Sequence, residues 1–331
     1  MQSAPSAIGL TAALEACLIV SKERLERHLS PPRPFRSATT WTPRMRLRSL
    51  LFVPGDSERK LARAERSGAD ALILDLEDAV APSQKALARE ISASVVQRAE
   101  ARPFRLFVRV NALDSGLALQ DLAALVAPGL DGILIPKANG PDDVARIGAW
   151  LDALETRAGM AAGSVKLAVV ATETAKAMFA LGQYAPPHPR LMALTWGAED
   201  LSAALGATGN KEADGEWTFP YAIARAQCLF AAAAAEVEAI DTVFVDFRDR
   251  DGLERDCRRS RRDGFVGRLA IHPDQIEPIN RAYTPSEAEI ERARRIVAAF
   301  EAEPGRGALA LDGQMIDIPH LKAARRTLAS I

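Results

Sequence analysis

The sequence predicts an α/β chain folded as a (β/α)8 TIM barrel with a C-terminal helical extension or lid, and three observations carry the prediction. From Leu47 onward, apolar β-rich runs alternate with amphipathic helical stretches at the spacing of βα units. Eight such runs are complete before His272. No GxGxxG follows the first of them, which removes the main signature of the rival open, dinucleotide-binding sheet. With 331 residues and 48% hydrophobic content the chain can bury one large core, and a barrel of about 250 residues fits within it.

Strands are expected at 49–53, 71–76, 106–110, 132–136, 166–171, 192–196, 242–245 and 267–271, each a short run rich in Val, Ile, Leu or Phe. Helices are expected at 58–67, 83–99, 118–126, 141–157, 174–181 and 253–263, several of them opening on a polar residue or a proline suited to a first turn. The polar, glycine-containing stretch 207–217 reads as a long loop on the active face. Beyond the eighth unit come helices near 275–282 and 286–302. A tail at 304–331 then carries a short apolar run, an Asp312-Gly313 turn and a basic helix. Residues 46–303 are thus read as the catalytic barrel and 304–331 as a lid docking on a neighbouring subunit. Residues 1–45, rich in Arg and broken by Pro31, Pro32 and Pro34, read as a disordered leader or an upstream start ahead of Met45. Their acid-poor composition also fits a targeting peptide.

Composition excludes several classes. Lys and Arg number 42 against 43 Asp and Glu, a net charge of −1, so no global basic field draws the chain to nucleic acid or anionic lipid. Three scattered cysteines, without a CxxC pair, argue against disulfides or structural zinc and for a reducing cytoplasm. The apolar windows are shorter than the roughly 20 residues needed to cross a bilayer.

A barrel places its chemistry at the C-terminal ends of its strands. Here those ends read Asp75-Leu76-Glu77-Asp78, Arg109-Val110-Asn111, Pro136-Lys137, Thr172-Glu173-Thr174 and Gly197-Ala198-Glu199-Asp200. Mg²⁺ takes one or two protein carboxylates plus waters and substrate oxygens, and Glu173 with Asp200, on consecutive strand ends, is the pair best placed. A lone carboxylate would ordinarily be a solvated loop residue or a helix cap, but five chemically armed strand ends weaken that reading. Arg109 suits a substrate carboxylate or an enolate oxygen, and equally an ion pair with Asp75, Glu77 or Asp78. His272 is as readily structural as catalytic and stays outside the catalytic set. Cys228 and Cys257 lie in helical patterns and read as packing residues.

These strand ends belong to longer stretches: RSLLFVPG from Arg48 to Gly55, GADALILDLEDAV from Gly68 to Val80, VRVN from Val108 to Asn111, IPK ending at Lys137, Glu173-Thr174, GAED from Gly197 to Asp200, GRLAIHPDQ from Gly267 to Gln275, and Met315-Ile316-Asp317. In that order, from Arg48 to about Arg325, the chain resembles the citrate lyase β-subunit-like, or HpcH/HpaI aldolase, group with its malyl-CoA and citramalyl-CoA lyases. The resemblance implies a Mg²⁺-dependent, reversible Claisen-type cleavage of a carboxylate-bearing hydroxyacyl-CoA into a keto acid and an acyl-CoA. It further implies Mg²⁺ on Glu173 and Asp200, the acid substrate on Arg109, and Asp317 as an acid–base residue reaching a neighbour's site in a trimer or dimer of trimers. A loop carrying Phe52, Arg59 and Arg63 would help to hold CoA. Arg268 departs from the lysine usual after that glycine. Three alternatives stand beside this reading: a CoA-independent pyruvate aldolase, an acyl-CoA thioesterase, and a lyase-complex subunit acting on a carrier-bound substrate.

Overall fold

The computed structural model describes residues 46–98 and 102–331, so the expected leader lies outside the described residues. Eight parallel strands close into a barrel in sequence order, β1 pairing with β8. They are β1 (Ser49–Pro54), β2 (Ala71–Asp75), β3 (Arg105–Arg109), β4 (Gly132–Ile135), β5 (Lys166–Val170), β6 (Leu191–Thr195), β7 (Glu238–Asp241) and β8 (Gly267–Ala270). Between and after them run α1 (Glu58–Ala64), α2 (Lys85–Gln97), α3 (Ala118–Leu125), α4 (Pro141–Arg157), α5 (Ala198–Leu205), α6 (Phe219–Ala234), α7 (Arg250–Asp263), α8 (Ile276–Tyr283) and α9 (Glu287–Ala302). The expected TIM barrel is the observed fold.

Alternation along each strand divides the apolar residues between two cores. Leu50, Ala71, Ile73, Phe107, Leu134, Ala168, Val170, Ala193, Ile240 and Leu269, drawn from all eight strands, form one buried cluster that fills the barrel. Their strand neighbours, such as Leu72, Val108, Ile133 and Val169, pack outward with Leu122, Val144, Ile147 and Leu151 of the helices. Gly132 makes room for the largest interior side chain: a Cβ there would lie 2.4 Å from Cε1 of Phe107. Removing that ring would cost about 3–5 kcal/mol, the usual loss for a core Phe cut to Ala.

Two expected elements are corrected. The seventh strand is Glu238–Asp241, not 242–245. The Thr-Val-Phe-Val run at 242–245 has the better strand composition, but it follows β7 as part of the mouth loop and leaves Val245 56% exposed. The helix expected at 174–181 is instead two short 3-10 turns, Ala177–Phe179 and Leu181–Tyr184. Gly182 and the prolines at 186, 187 and 189 deny this stretch the uninterrupted length an α-helix needs.

The tail is a hairpin of β9 (Ala308–Leu311) and β10 (Gln314–Asp317), followed by α10 (Ile318–Ala329). The expected extension is therefore part strand. Ile316, Leu321 and Ala324 pack on Ala293, Ile296 and Phe300 of α9, a small core separate from the barrel's. Among the described residues no helix is long and apolar enough to cross a membrane.

All eight barrel strands begin at Ser49 or later. Deleting residues 1–44 is therefore expected to leave the melting temperature and turnover unchanged, which thermal unfolding and an activity assay on the truncated chain would check.

Candidate active site

The mouth of the barrel is built by continuing the inward parity of its strands. Asp75 lies two residues beyond Ile73 and Arg109 two beyond Phe107, so both rise from the top of the interior core. The β2–β3 register sets them directly opposite each other. Arg109 closes a two-point pair on Asp75, Nε to Oδ1 at 2.8 Å and Nη2 to Oδ2 at 2.6 Å, while its Nη1 lies 3.1 Å from Oε2 of Glu77. Its guanidinium also sits 4.8 Å above the Phe52 ring. Burial works against its charge, but the adjoining carboxylates prevail and hold it firmly protonated.

Lys137, just past β4, is the second cation. Its backbone is left-handed, φ 49°, and its amide donates to Oε2 of Glu173. Its ammonium contacts Glu77, lies 2.8 Å from Asp78 and reaches to 3.4 Å from Asp200. Lys137 thus touches both carboxylates read from the sequence as the metal pair.

Glu173 is 4% exposed. Burial pushes its carboxyl up to about 8, with the Asp200 and Glu77 charges adding to the rise against the Lys137 amide and Arg109. Asp200 stands in the first turn of α5, where the helix dipole favours an acid. Its neighbour Glu199 accepts from Asn210 of the 207–217 loop. The β6–α5 turn approaches Glu173 so closely that a Cβ on Gly197 would lie 2.7 Å from Glu173 Cγ and 3.2 Å from Val170 Cγ1. Gly197→Ala must displace one or the other. A stability loss of about 1–3 kcal/mol is expected, the range for overpacking, with a drop in turnover, read by denaturant unfolding and steady-state rates.

Four of the residues read from the sequence, Phe52, Arg109, Glu173 and Asp200, therefore gather at one mouth, coupled through Lys137 and Glu77. The others lie apart from that cluster. Phe52 was expected on a loop with Arg59 and Arg63, yet it belongs to β1 and packs under Arg109, whereas both arginines are on α1. Arg63 pairs with Asp274 at 3.3 Å, and Arg59 is exposed. Asp317 caps α10 and pairs with His320, whose hydrogen bond holds its carboxyl below the ordinary range. Asn111 is tied down by Asp121. His272 caps the turn Pro273–Gln275, accepting from the Asp274 amide, and stacks on Phe247 with ring centres 4.7 Å apart. Cys228 and Cys257 are fully buried, and burial drives both thiols up, Cys257 to about 12, so neither is a reactive thiolate.

Sequence reasoning assigned no role to Lys137 and offered Glu77 only as one of three carboxylates able to pair with Arg109, a pair the structure contains together with that to Asp75. Both were visible at strand ends, but only the left-handed backbone that turns Lys137 back across the mouth reveals its place.

Among the described residues, no three or more His, Cys, Asp or Glu side chains form a ready metal cage. The mouth nonetheless fits a hard divalent cation bound by two carboxylates, with waters and substrate supplying the remaining ligands. Asp75, Glu77, Asp78, Glu173 and Asp200 gather around Arg109 and Lys137, and the raised Glu173 carboxyl is a group that a nearby positive charge would bring back to its ionised form. Glu173 and Asp200 are the pair that would hold it.

Known proteins place this geometry. The profile of the HpcH/HpaI aldolase/citrate lyase family matches residues 48–273, which include all eight barrel strands and every mouth residue named above. The chain belongs to the HpcH/HpaI aldolase/citrate lyase family. It is an enzyme by that membership. Over 285 residues it is 36% identical to a (3S)-malyl-CoA thioesterase of Cereibacter sphaeroides, covering 85% of this chain and 93% of the relative. Over 297 residues it is 32% identical to the mitochondrial citramalyl-CoA lyase of Homo sapiens, covering 85% and 84% of the two chains. Among solved structures it resembles the Mycobacterium tuberculosis protein CitE in complex with magnesium, acetoacetate and coenzyme A. That match has a TM-score of 0.67 and 34% identity, and covers 86% of this chain and 97% of the other.

Proposed function

We propose that this member of the family is a Mg²⁺-dependent carbon–carbon lyase that reversibly cleaves a carboxylate-bearing 3-hydroxyacyl-CoA into a keto acid and an acyl-CoA. The observation that carries the reading is the meeting of Glu173 and Asp200 with the clamped guanidinium of Arg109 at one barrel mouth. A lyase and a CoA-binding structure among its relatives support the CoA ester as substrate.

When bound, Mg²⁺ supplies Lewis acidity at the hydroxyl or keto oxygen and a template for the neighbouring carboxylate. Glu173 and Asp200 would hold it. Arg109, fixed by the facing Asp75 and by the Phe52 ring beneath it, keeps further N–H groups for the negative charge that grows on the substrate oxygens as the C2–C3 bond breaks. The hydroxyl proton leaves to a base, the C2–C3 electron pair becomes the acyl-CoA enolate, and the enolate carbon takes up a proton. Asp317 is the residue proposed for that last exchange. Held ionised by His320, it would accept the C2 proton in the condensation direction and return it in cleavage.

The tail that carries Asp317 packs on α9 through one face and leaves Met315 66% and Ile318 40% exposed on either side of Asp317. We propose that this flank docks over the barrel mouth of a neighbouring subunit in a trimer or dimer of trimers. Localisation to a reducing cytoplasm stays part of the same proposal.

One specific finding favours a second reading: the relative at 36% identity is named a thioesterase. In that reading water adds to the thioester carbonyl and expels the CoA thiol, leaving the C2–C3 bond of the hydroxy acid intact. A panel of malyl-, citramalyl-, methylmalyl- and citryl-CoA with Mg²⁺ separates the two. The lyase reading expects equal amounts of keto acid and acyl-CoA from at least one ester; free CoA and an intact hydroxy acid, without keto acid, would replace it with the hydrolase. The acyl group is left to that panel because one methyl in a pocket changes selectivity by only about 1–3 kcal/mol.

A further inference from the structure

We infer that Trp196 and Asp241 are positioning residues for the metal pair: a buried ionic network on the outer side of the barrel wall sets the β6–α5 turn that carries Asp200. The inference rests on the reading of Glu173 and Asp200 as metal ligands.

The network begins at Asp241, the last residue of β7, which is fully buried. Its Oδ2 receives Nη2 of Arg268 from β8 at 2.9 Å and the Arg225 guanidinium from α6 at 3.2 Å. Its Oδ1 receives its neighbour's amide, Thr242 N, at 2.8 Å and Nε1 of Trp196 at 2.6 Å. The same Nη2 of Arg268 also reaches Asp256 of α7 at 2.6 Å. Burial alone would raise the Asp241 carboxyl; the charges of Arg268 and Arg225 outweigh it and keep the group ionised. A buried carboxylate gripped by two guanidiniums, the following backbone amide, an indole and the Ser260 hydroxyl has little freedom to move.

The indole links Asp241 to the turn that carries Asp200. Trp196 is 0% exposed and directly precedes Gly197, whose amide donates to Thr172 Oγ1 at 3.1 Å and whose α-carbon lies against Glu173. α5 begins at the next residue and presents Asp200 in its first turn. Fixing the indole ring therefore fixes the turn from which Asp200 projects and against which Glu173 rests. The ring also meets Trp217 edge-on at 4.9 Å, and Trp217 carries the Lys211 ammonium 4.5 Å from its ring centre, so the loop after α5 is held from the same point. This gives Arg268 a place: the strand-eight cation flagged in the sequence lies in the wall, where a single terminal nitrogen bridges β7 and α7 through Asp241 and Asp256.

Removing Asp241 itself would leave the buried Arg268 with Asp256 alone and the half-buried Arg225 with Asp263 alone, and so endanger folding. Trp196→Phe is the cleaner test, since it deletes the indole N–H while leaving an aromatic ring in place and every cation paired. Arg225→Met loosens Asp241 from the helix side as a second variant. Mg²⁺ affinity is read by isothermal titration calorimetry on each purified chain, with circular dichroism and thermal unfolding in parallel. The expected result for Trp196→Phe is a Mg²⁺ Kd raised about 10–100-fold, the range for losing a residue that supports a metal ligand, in a cooperatively folded protein; Arg225→Met should shift the Kd in the same direction. A lowered melting temperature with the Kd within about twofold of the parent in both variants would show that the network only stabilises the wall. Asp200→Asn is titrated alongside. If it loses Mg²⁺ while Trp196→Phe and Arg225→Met do not, the inference alone is overturned. If all three bind as the parent does, the metal assignment falls and the inference with it.

Discussion

Asp317→Asn is expected to slow the chemical step by roughly 10²–10⁴-fold, the range for losing a positioned general acid–base, with little change in CoA binding. The eight βα units are complete before Ala308, yet the tail beyond them folds into an ordered hairpin and helix around a carboxylate. Ile316 is buried against α9, whereas Met315 and Ile318 are exposed on either side of Asp317. That combination, an anchored strand with an apolar, acid-bearing outer flank, is what a segment docking on a second surface needs. Single-turnover measurements on Asp317→Asn, with CoA-ester binding measured separately, would check the magnitude. Complementation checks the direction: mixing Asp317→Asn subunits with Arg109→Ala subunits should restore part of the activity, because a mixed oligomer holds some sites with both groups intact. If subunit exchange is demonstrated and the mixture stays inactive, the tail acts within its own chain or not at all.

Glu173→Gln and Asp200→Asn are expected to abolish turnover and to weaken Mg²⁺ binding by more than the 10–100-fold that follows loss of a supporting residue, without unfolding the barrel. Each replacement keeps the side chain's size and its capacity to accept from a donor while removing the charge a hard cation requires. Glu173→Gln also removes a buried carboxyl that burial, chiefly, pushes up to about 8. A carboxyl raised in the folded state costs stability as pH rises from its unfolded value, roughly 4.3, toward its folded one. The Gln variant should therefore be at least as stable as the parent near neutral pH without metal, which places its expected failure in catalysis rather than folding. Exhaustive EDTA treatment of the parent should abolish turnover, and added Mg²⁺ should restore it. Full activity after EDTA, or parent-like Mg²⁺ titrations in both variants, would remove the two carboxylates from the metal site.

The strand ends were legible because alternation and barrel geometry together fix what faces the mouth. Asp75 and Arg109 follow Ile73 and Phe107 by two residues, and that parity can be read without coordinates. The seventh strand was not legible. Its buried pattern is only Ala239-Ile240-Asp241, with an ionised Asp inside the wall, and a β-branched run directly after it competes for the assignment. Asp241 is held ionised there by partners distant in sequence, among them Arg225, Arg268 and Trp196. No local pattern can announce such a network. Lys137 illustrates the same limit at the mouth: its position at a strand end was plain, but its reach to Glu77, Asp78 and Asp200 depends on a left-handed backbone that a lysine does not signal. Glu173 and Asp200 could be paired from consecutive strand ends. The closeness of the turn at Gly197 could not.

Condensation run in reverse tests the central claim most directly. The purified chain is incubated with Mg²⁺, an acyl-CoA labelled with ¹³C in its acyl group and an unlabelled 2-keto acid, and the products are read by mass spectrometry. The account predicts a new 3-hydroxyacyl-CoA that carries the label and the mass of both reactants, formed with Mg²⁺, lost with EDTA and lost in Glu173→Gln. Labelled free acid and CoA alone, with no joined product for any keto acid that balances malyl-, citramalyl-, methylmalyl- or citryl-CoA, would contradict it.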